Sequence, residues 1–269
     1  MKLNAEYKNE KESEDEEIIE ERKINTSGGL KLFKILFLYC LVGFIGWYLF
    51  NFLFHSEIFK IRNVIISGND CLTDQKIFQE SEINIGENIF LLGIKKSISS
   101  LRKDPWIREV SIKKIFPDKI KILVEERKPS AIVKNGNEYL QSSKNGFILC
   151  SVNYEQNTSK LPLISGLSLK NTGIGERILE NEYRTALEII HCIEVILPKV
   201  FCEVTVLDQD DFFIYNKDKS VKIRANKADE IIGKENMLRD AFTKISNEKL
   251  LVDYIDLRFK DSLVIKIKK

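Results

Sequence analysis

Residues 101–127 read LRKDPWIREVSIKKIFPDKIKILVEER, and this stretch decides the fold of the region around it. Proline at position 105 bars the continuation of any helix that precedes it. Apolar residues then alternate with polar ones over residues 106–115, and again over residues 120–125 after a turn at 116–119. Alternation with a period of two is typical of a strand with one buried face. The stretch therefore predicts a helix end followed by a β-hairpin.

The spacing of apolar residues also changes along the segment before this hairpin. Residues 59–66 form a β-rich apolar run closed by a turn cluster at 67–70, and Thr73 then fits the N-cap of a helix. Residues 94–101 carry apolar side chains at helical spacing. The predicted order is β-α-α-β-β. We expect Trp106, which opens the second strand, to be largely buried beneath the two helices.

An uncharged apolar run, residues 35–54, lies further upstream and is long enough to cross a bilayer as a helix of about 20 residues. Lys31 and Lys34 flank its N-terminal end, and the positive-inside rule places that end in the cytoplasm. A cleaved signal peptide or a buried core helix is the alternative, but residues 51–57 offer no small-x-small cleavage site. We predict one transmembrane helix over residues 31–55.

The segment before this run is strongly acidic over residues 6–21 and has almost nothing to bury. We predict a cytoplasmic tail, residues 1–30, that is disordered or a transient helix. A docking segment for a basic cytoplasmic partner is the alternative. The whole chain has a formal net charge of +2, and its Lys and Arg residues are spread among Asp and Glu. This pattern gives no support to nucleic-acid binding.

The remainder of the chain predicts a second domain, residues 128–269, after a first domain of residues 56–127. The fold class is α+β: a single transmembrane helix, a β-α-α-β-β domain, and a second, antiparallel-sheet domain with flanking helices. The predicted elements of the second domain are a hairpin at 139–149, a segment at 161–166, a helix at 181–197, strands at 200–207, 212–216 and 220–225, a helix at 230–245, and strands at 252–259 and 262–268.

The sequence offers no recognisable catalytic constellation. Its two histidines, His55 and His191, lie at the membrane and on a helix, so no Ser-His or Cys-His pair is evident. There is no Gly-rich phosphate loop, no C-x-x-C and no zinc spacing among the five cysteines. Free thiols and a disulfide among Cys71, Cys150, Cys192 and Cys202 both stay open. We predict a protein that is not an enzyme and has no cofactor, metal or small-molecule substrate.

Four pieces of the first domain together resemble the POTRA domain of the FtsQ/DivIB family of bacterial cell-division proteins. They are Ser67-Gly68-Asn69 after the first strand, residues 101–107, Ile115-Phe116-Pro117-Asp118 in the hairpin, and residues 125–131 leaving it. The second domain adds residues 139–149, Leu161 to Gly166, and Asp256-Leu257-Arg258-Phe259. Departures from the family pattern are Ser142 or Ser143 for an aspartate, Ala225-Asn226 for Leu-Gly, Phe259 for a tyrosine and Ser262 for a glycine.

The resemblance implies a bitopic inner-membrane divisome scaffold with a cytoplasmic N-terminus and periplasmic domains. Such a protein links early and late division proteins at the septum. The POTRA domain would take part in recruitment, and the C-terminal domain would bind small coiled-coil proteins of the FtsB and FtsL type. Two alternatives stay open: a POTRA-containing factor in protein translocation or outer-membrane assembly, and a membrane-anchored extracytoplasmic enzyme or sensor.

The final strand is the predicted partner site, because a terminal edge strand exposes backbone groups onto which a partner can add a strand. By alternation, Leu263, Ile265 and Ile267 should face inward, with Val264, Lys266 and Lys268 on the other side. Proline at Val264 or Lys266, whichever turns its N–H outward, should then weaken partner binding. An edge merely protected by lysines is the alternative. The predicted partner-binding residues are Arg258, Phe259, Ser262, Val264, Lys266 and Ile267.

Overall fold

A computed structural model describes residues 3–154, 161–169 and 172–268 of the chain, with side chains in the first helix described from residue 29 onward. That helix, α1, spans Leu3–His55. Its segment Gly29–His55 is long and apolar enough to cross a membrane. The helix also includes the acidic tail, for which disorder or a transient helix was predicted. Glu and Lys are good helix formers, and adding residues to an existing helix is far easier than starting a new one.

The region after α1 has the predicted β-α-α-β-β order. Its elements are β1 (Asn63–Ser67), α2 (Asp74–Glu80), α3 (Ile94–Leu101), β2 (Ile107–Ile115) and β3 (Lys119–Glu126). The three strands form one sheet in the order β1-β3-β2. Thr73 is the N-cap of α2, as predicted, and its hydroxyl accepts the N–H of Lys76 at 3.3 Å.

The turn after β1 is closed by a carboxylate from the last residue of β3. Glu126 accepts the N–H groups of Asp70, Cys71 and Leu72 at 3.1, 2.7 and 2.9 Å. Gly68 lets this turn approach β3, since its φ is +89° and a Cβ there would lie 2.2 Å from the carbonyl oxygen of Val124. The two contacts hold the beginning of the domain against its end.

Most of the surface of Trp106 is covered, as predicted, but Trp106 is not a core residue and does not open the strand. The strand begins one residue later, and Ile107, 1% exposed, faces the core. Because successive side chains of a strand point to opposite faces, two adjacent residues cannot both enter the core. The carbonyl of Trp106 accepts the N–H of Arg127 at 2.7 Å, so its backbone still joins the end of β3.

The C-terminal part of the chain builds a nine-stranded sheet in the order β12-β11-β10-β9-β8-β7-β4-β5-β6. The strands are β4 (Pro129–Asn135), β5 (Glu138–Ser143), β6 (Ile148–Ser151), β7 (Leu163–Ser165), β8 (Phe201–Asp208), β9 (Asp211–Asn216), β10 (Lys222–Ala225), β11 (Val252–Asp256) and β12 (Val264–Ile267). The α+β class is confirmed, but the sheet is mixed and not antiparallel throughout. The pairs β4–β7, β7–β8 and β10–β11 are parallel.

Helices supply the crossovers for two of the three parallel pairs, whereas β4 is connected to β7 through β5 and β6. Helix α4 (Asn181–Ile196) connects β7 to β8, and α5 (Ala228–Ile232) with α6 (Glu235–Glu248) connects β10 to β11. Helices α5 and α6 occur where the sequence predicted a single helix over residues 230–245. Helix α5 ends at Gly233, and the buried ammonium of Lys234 donates to the carbonyl of Leu257. The break therefore places a hydrogen-bond donor where the chain leaves β11.

The sheet and these helices share one apolar core. The Tyr183 side chain of α4 enters it and remains hydrogen-bonded, because its hydroxyl donates to the carbonyl of Ser143 at 2.8 Å and lies 3.0 Å from the hydroxyl of Ser142. Burial raises the pKa of Tyr183 to about 12. The main core residues of the helices are Tyr183, Ala186, Ile189, Ile193, Ile196, Ile231, Leu238 and Ile245.

The β6 edge of the sheet is covered by a loop from the same chain. The N–H of Ile148 donates to the carbonyl of Glu176, and the carbonyl of Ile148 accepts the N–H of Gly175, both at 2.9 Å. A third bond, also 2.9 Å, joins the N–H of Ile178 to the carbonyl of Gly146. The ring of Phe147 in this edge lies under the guanidinium of Arg127, 3.9 Å from its carbon to the ring centroid.

The chain divides into two compact units. One comprises residues 1–63, 84–92 and 114–119, and the other comprises residues 64–83, 93–113 and 120–269. The predicted domain boundary between residues 127 and 128 does not coincide with this division, and it stays a prediction. The cysteines Cys40, Cys71, Cys150, Cys192 and Cys202 are free thiols.

Candidate functional site

The last strand, β12, lies at one end of the nine-stranded sheet and pairs with β11 alone. Tyr254, Ile255 and Asp256 lie opposite Lys266, Ile265 and Val264 in an antiparallel register. Within the described part of the chain, no strand pairs with the other side of β12. The backbone groups on that side are therefore free to accept a further strand, as expected for an edge strand.

The register shows which backbone groups point outward. The N–H of Lys268 donates to the carbonyl of Leu251 at 2.8 Å, so it points toward β11. The irregularity in this pair lies on β11, where two steps from Val252 to Tyr254 match one step on β12. Backbone groups alternate in direction along a regular strand. The N–H groups of Val264 and Lys266 therefore also point toward β11.

The outward donors are consequently those of Ile265 and Ile267. This corrects the predicted choice of test positions, since proline at Val264 or Lys266 would remove a hydrogen bond within the sheet and leave the free edge intact. The signal that could have located the donors was the register itself, which alternation in the sequence does not specify.

The side chains of β12 follow the predicted alternation except at the end of the strand. Leu263 and Ile265 pack against the core, whereas Val264 and Lys266 are exposed. Ile267 was expected to face inward but is 54% exposed. Ile267 is the last residue of the strand and lies beyond the edge of the apolar core. It therefore adds an apolar side chain to the free edge.

Arg258 and Phe259 do not lie on the neighbouring strand as expected, because β11 ends at Asp256. The guanidinium of Arg258 folds back and donates to both carboxylate oxygens of Asp256, at 2.9 and 2.8 Å. This two-point contact fixes its position. Phe259 and Ser262 are exposed in the connection between β11 and β12. These three residues are thus near the start of the edge, but only Val264, Lys266 and Ile267 belong to the strand.

The sheet face beside the edge carries aromatic and charged residues that the sequence did not single out. Asp253 lies 3.4 Å from Lys222 and 3.2 Å from Lys266, and the hydrogen bond from Lys266 lowers the pKa of this carboxyl group. The ammonium of Lys266 also lies 5.1 Å from the ring centroid of Tyr254. These contacts draw Lys266 onto the face of the sheet.

The described residues contain no group of three or more His, Cys, Asp and Glu side chains placed to hold a metal ion. His191, the histidine of α4, is exposed. Burial raises the pKa values of the thiols of Cys150, Cys192 and Cys202, which favours their protonated form. The geometry that distinguishes this part of the chain is therefore the open strand edge, which suits binding of another polypeptide.

Comparison with known proteins identifies the family to which this protein belongs. Residues 59–127 match the POTRA domain of the FtsQ type. The chain is 31% identical over 214 residues to cell division protein DivIB of Clostridium acetobutylicum, an alignment that covers 77% of this chain and 82% of that protein. Cell division protein FtsQ of Syntrophotalea carbinolica is 27% identical over 221 residues, covering 80% of this chain and 76% of that protein.

A solved structure, the major extracytoplasmic domain of the trans isomer of DivIB from Geobacillus stearothermophilus, is 14% identical in the aligned region. That alignment covers 47% of this chain and 98% of the domain, with a TM-score of 0.28, which is too low to support an inference about the fold. The sequence relatives are sufficient: the chain belongs to the FtsQ/DivIB family of cell division proteins. Its role is in cell division.

Proposed function

We propose that this protein is a single-pass scaffold that links other division proteins at the septum by binding them outside the cytoplasm. The span within Gly29–His55 anchors it in the inner membrane, and Lys31 and Lys34 keep its N-terminus in the cytoplasm. The free edge of β12 binds the main partner, a small coiled-coil protein of the FtsB or FtsL type. The observation that carries this proposal is the unpaired backbone of that edge.

Strand addition is the binding mode that suits this edge. A partner strand would bond to the outward N–H and C=O groups of Ile265 and Ile267, and such main-chain bonds supply affinity in β-augmentation. The exposed side chains of Val264 and Ile267 would supply apolar contact. Phe259 and Ser262 would lie at the beginning of the contact, and Arg258, held by Asp256, would provide a fixed positive charge.

The alternative of an edge that is merely protected by lysines has less support. A lysine guards an edge when its charge stands across the path of an incoming strand. Lys266 instead pairs with Asp253 and lies over the ring of Tyr254. Its charge is held on the sheet face, so the backbone of Ile265 and Ile267 stays accessible.

Replacement of Ile267 by proline tests the proposal, with Ile267→Thr as the matched control. Both variants remove the exposed isoleucine, but only proline removes the outward N–H. We expect Ile267→Pro to weaken binding of the FtsB-like partner at least about tenfold relative to Ile267→Thr, as loss of one hydrogen bond and of strand complementarity predicts. The measurement is titration of the purified full-length proteins in detergent.

The two variants should also differ in their ability to support division in cells. In a strain depleted of the native protein, Ile267→Thr should restore division, and Ile267→Pro should leave filaments although the protein accumulates normally. Equal affinity of the two folded variants for the partner would show that the backbone of β12 is not the binding element.

A further inference from the structure

A series of contacting aromatic rings connects the last turns of α1 with two loops in the same compact unit. The rings of Phe54 and Phe59 both contact that of Phe90, with centroids 6.1 and 5.1 Å apart. Phe90 in turn stacks on Phe116 at 5.2 Å. Phe52, two residues before Phe54 in the helix, meets Phe59 edge to face at 5.9 Å. The rings thus continue the apolar surface of the candidate span.

Polar contacts fasten this ring cluster to the end of the helix. The buried side-chain amide of Asn88 donates to the carbonyls of Leu53 and Phe54 at 2.8 and 3.0 Å. The last carbonyls of a helix have no partner within the helix, so these bonds occupy groups that otherwise need water. The N–H of Ile89 donates to the carbonyl of Phe59 at 2.8 Å. The loop that carries Phe90 therefore has a fixed position relative to the helix end.

Apolar side chains of this unit remain exposed. Phe116 is 55% exposed, and Ile58, Leu91 and Ile115 are exposed as well. A group of large apolar side chains at the surface marks an interaction site. Lys60 forms an ion pair with Glu57 at 2.5 Å, and the ammonium of Lys114 donates to the carbonyl of Phe90 at 3.4 Å. The patch thus combines aromatic rings with neighbouring positive charges.

The span identifies what covers this patch. The apolar run of residues 35–54, at about 1.5 Å per residue, matches the hydrocarbon thickness of about 30 Å, which places Phe54 at the outer boundary of the hydrocarbon. The headgroup layer beyond it is roughly 5–8 Å deep. Phe90 touches Phe54, and Phe116 touches Phe90. The rings lie within reach of that layer, where aromatic side chains are favoured.

We propose that Phe90 and Phe116, with the exposed apolar residues beside them, lie in the outer headgroup layer of the bilayer. The occupant of the patch is the lipid surface itself, and Lys114, whose ammonium lies beside Phe90, faces its phosphates. The proposal goes beyond partner binding at β12. It rests only on the candidate span being in the membrane, and it makes the membrane contact of this unit larger than the span alone.

Fluorescence quenching by brominated lipid tests this placement. The native Trp47 and Trp106 are both replaced by phenylalanine in the full-length protein, and Phe116 is replaced by tryptophan, which preserves an aromatic ring at an exposed position. The protein is reconstituted into phosphatidylglycerol and phosphatidylethanolamine vesicles whose acyl chains are brominated near the headgroup. A variant that keeps Trp47 reports the span, and Leu251→Trp, at an exposed leucine outside the ring contacts, reports an indole in water.

We expect Phe116→Trp to be quenched by the brominated lipid to an extent comparable with Trp47, and to be protected from iodide relative to Leu251→Trp. Quenching by iodide with none by lipid would place the ring in water and overturn the proposal. Protection from both quenchers would mean that protein covers the patch, which also overturns it. Absence of lipid quenching at Trp47 would remove the span and the proposal together, whereas partner binding at β12 would be unaffected.

Discussion

The two edges of the nine-stranded sheet are treated differently by the same chain. At the β6 edge, residues 175–178 bond to both the N–H and the C=O of Ile148. At the β12 edge, the described chain provides no such cover for the outward groups of Ile265 and Ile267. An open edge risks aggregation, and proteins commonly cover it. The contrast between the two edges within the described residues supports the proposal that the second one binds an incoming strand.

The largest expected effect is the difference in stability between proline variants at two equivalent isoleucines, one on each edge strand of the sheet. Ile148 and Ile265 both direct the side chain toward the core and the N–H away from the sheet. Each is compared with its alanine variant, so that loss of the side chain cancels. At Ile148, proline should cost a further ~0.5–1.5 kcal/mol of unfolding free energy, because the hydrogen bond to the carbonyl of Glu176 is lost. At Ile265 the further cost should be near zero.

Chemical denaturation of the four variants in detergent measures these differences. A large proline-specific cost at Ile265 would indicate that its N–H already has a partner in the isolated protein. The edge would then be closed, and the distinction between the two ends of the sheet would disappear.

The tightness of the covered edge gives a second prediction. Gly146 has a φ of +83°, and a Cβ there would lie 2.7 Å from the carbonyl oxygen of Ile178. Gly136 has a φ of +59° with nothing within 4 Å of the same position. Both alanine variants incur the cost of a left-handed backbone, about 1–2 kcal/mol. Only in Gly146→Ala does the added methyl group also push residues 175–178 away from the β6 edge.

We therefore expect Gly146→Ala to be less stable than Gly136→Ala by at least about 1 kcal/mol, since backbone that must shift at a strained position costs of that order. Thermal unfolding of the two variants under one set of conditions provides the comparison. Equal midpoints would show that residues 175–178 can move away without loss, so that the cover would be a weak one.

The smallest effect concerns the ion pairs on the half of the sheet that leads to the free edge. The hydrogen bond from Arg224 lowers the pKa of Asp211 below its usual value. A carboxyl group with a lowered folded-state pKa stabilises the protein above its unfolded pKa, about 3.9. That contribution is lost as the pH falls from there through the folded value. Asp211→Asn should thus be less stable than the wild type at pH 6, by about 1 kcal/mol or less.

The difference should shrink as the pH falls below the unfolded pKa, about 3.9, and through the lower folded-state pKa, where the wild-type carboxyl takes up its proton. Urea titrations at several pH values measure it, and Arg224→Gln in both backgrounds isolates the pair by a double-mutant cycle. A difference between wild type and Asp211→Asn that persists unchanged at pH 2 would assign the effect to packing of the side chain.

The sequence anticipated the features that local patterns encode. The order β-α-α-β-β, the N-cap at Thr73 and the terminal position of β12 all follow from periodicity, capping and turn residues, and the structure confirms them. Family membership followed from the motifs around Pro105 and Pro117 combined. At the candidate site, the exposure of Val264 and Lys266 followed from simple alternation.

The features that the sequence did not show depend on pairing across long distances. Parallel pairing of β7 with β8 requires the crossover through α4, and its pairing with β4 follows the β5–β6 hairpin; nothing within Leu163–Ser165 records either pairing. The outward N–H of Ile267 depends on the register of β12 against β11, which the sequence does not specify. The loop at 175–178 carries no strand pattern of its own, so the closure of β6 could not be expected. The start of β2 was predicted one residue too early, and a shift of one residue reverses the face on which each side chain of a strand lies.

The contact between Glu126 and the turn at residues 70–72 bears on the order of events during synthesis. Its three hydrogen bonds join residues 54 to 56 positions apart. At roughly 5–20 residues per second, several seconds pass after Leu72 is made before the carboxylate that closes the turn exists. During that interval β1 and the turn have no partner strand and must wait in an open state. The domain therefore folds only when its last strand is complete, and any truncation before Glu126 leaves the first turn unfastened.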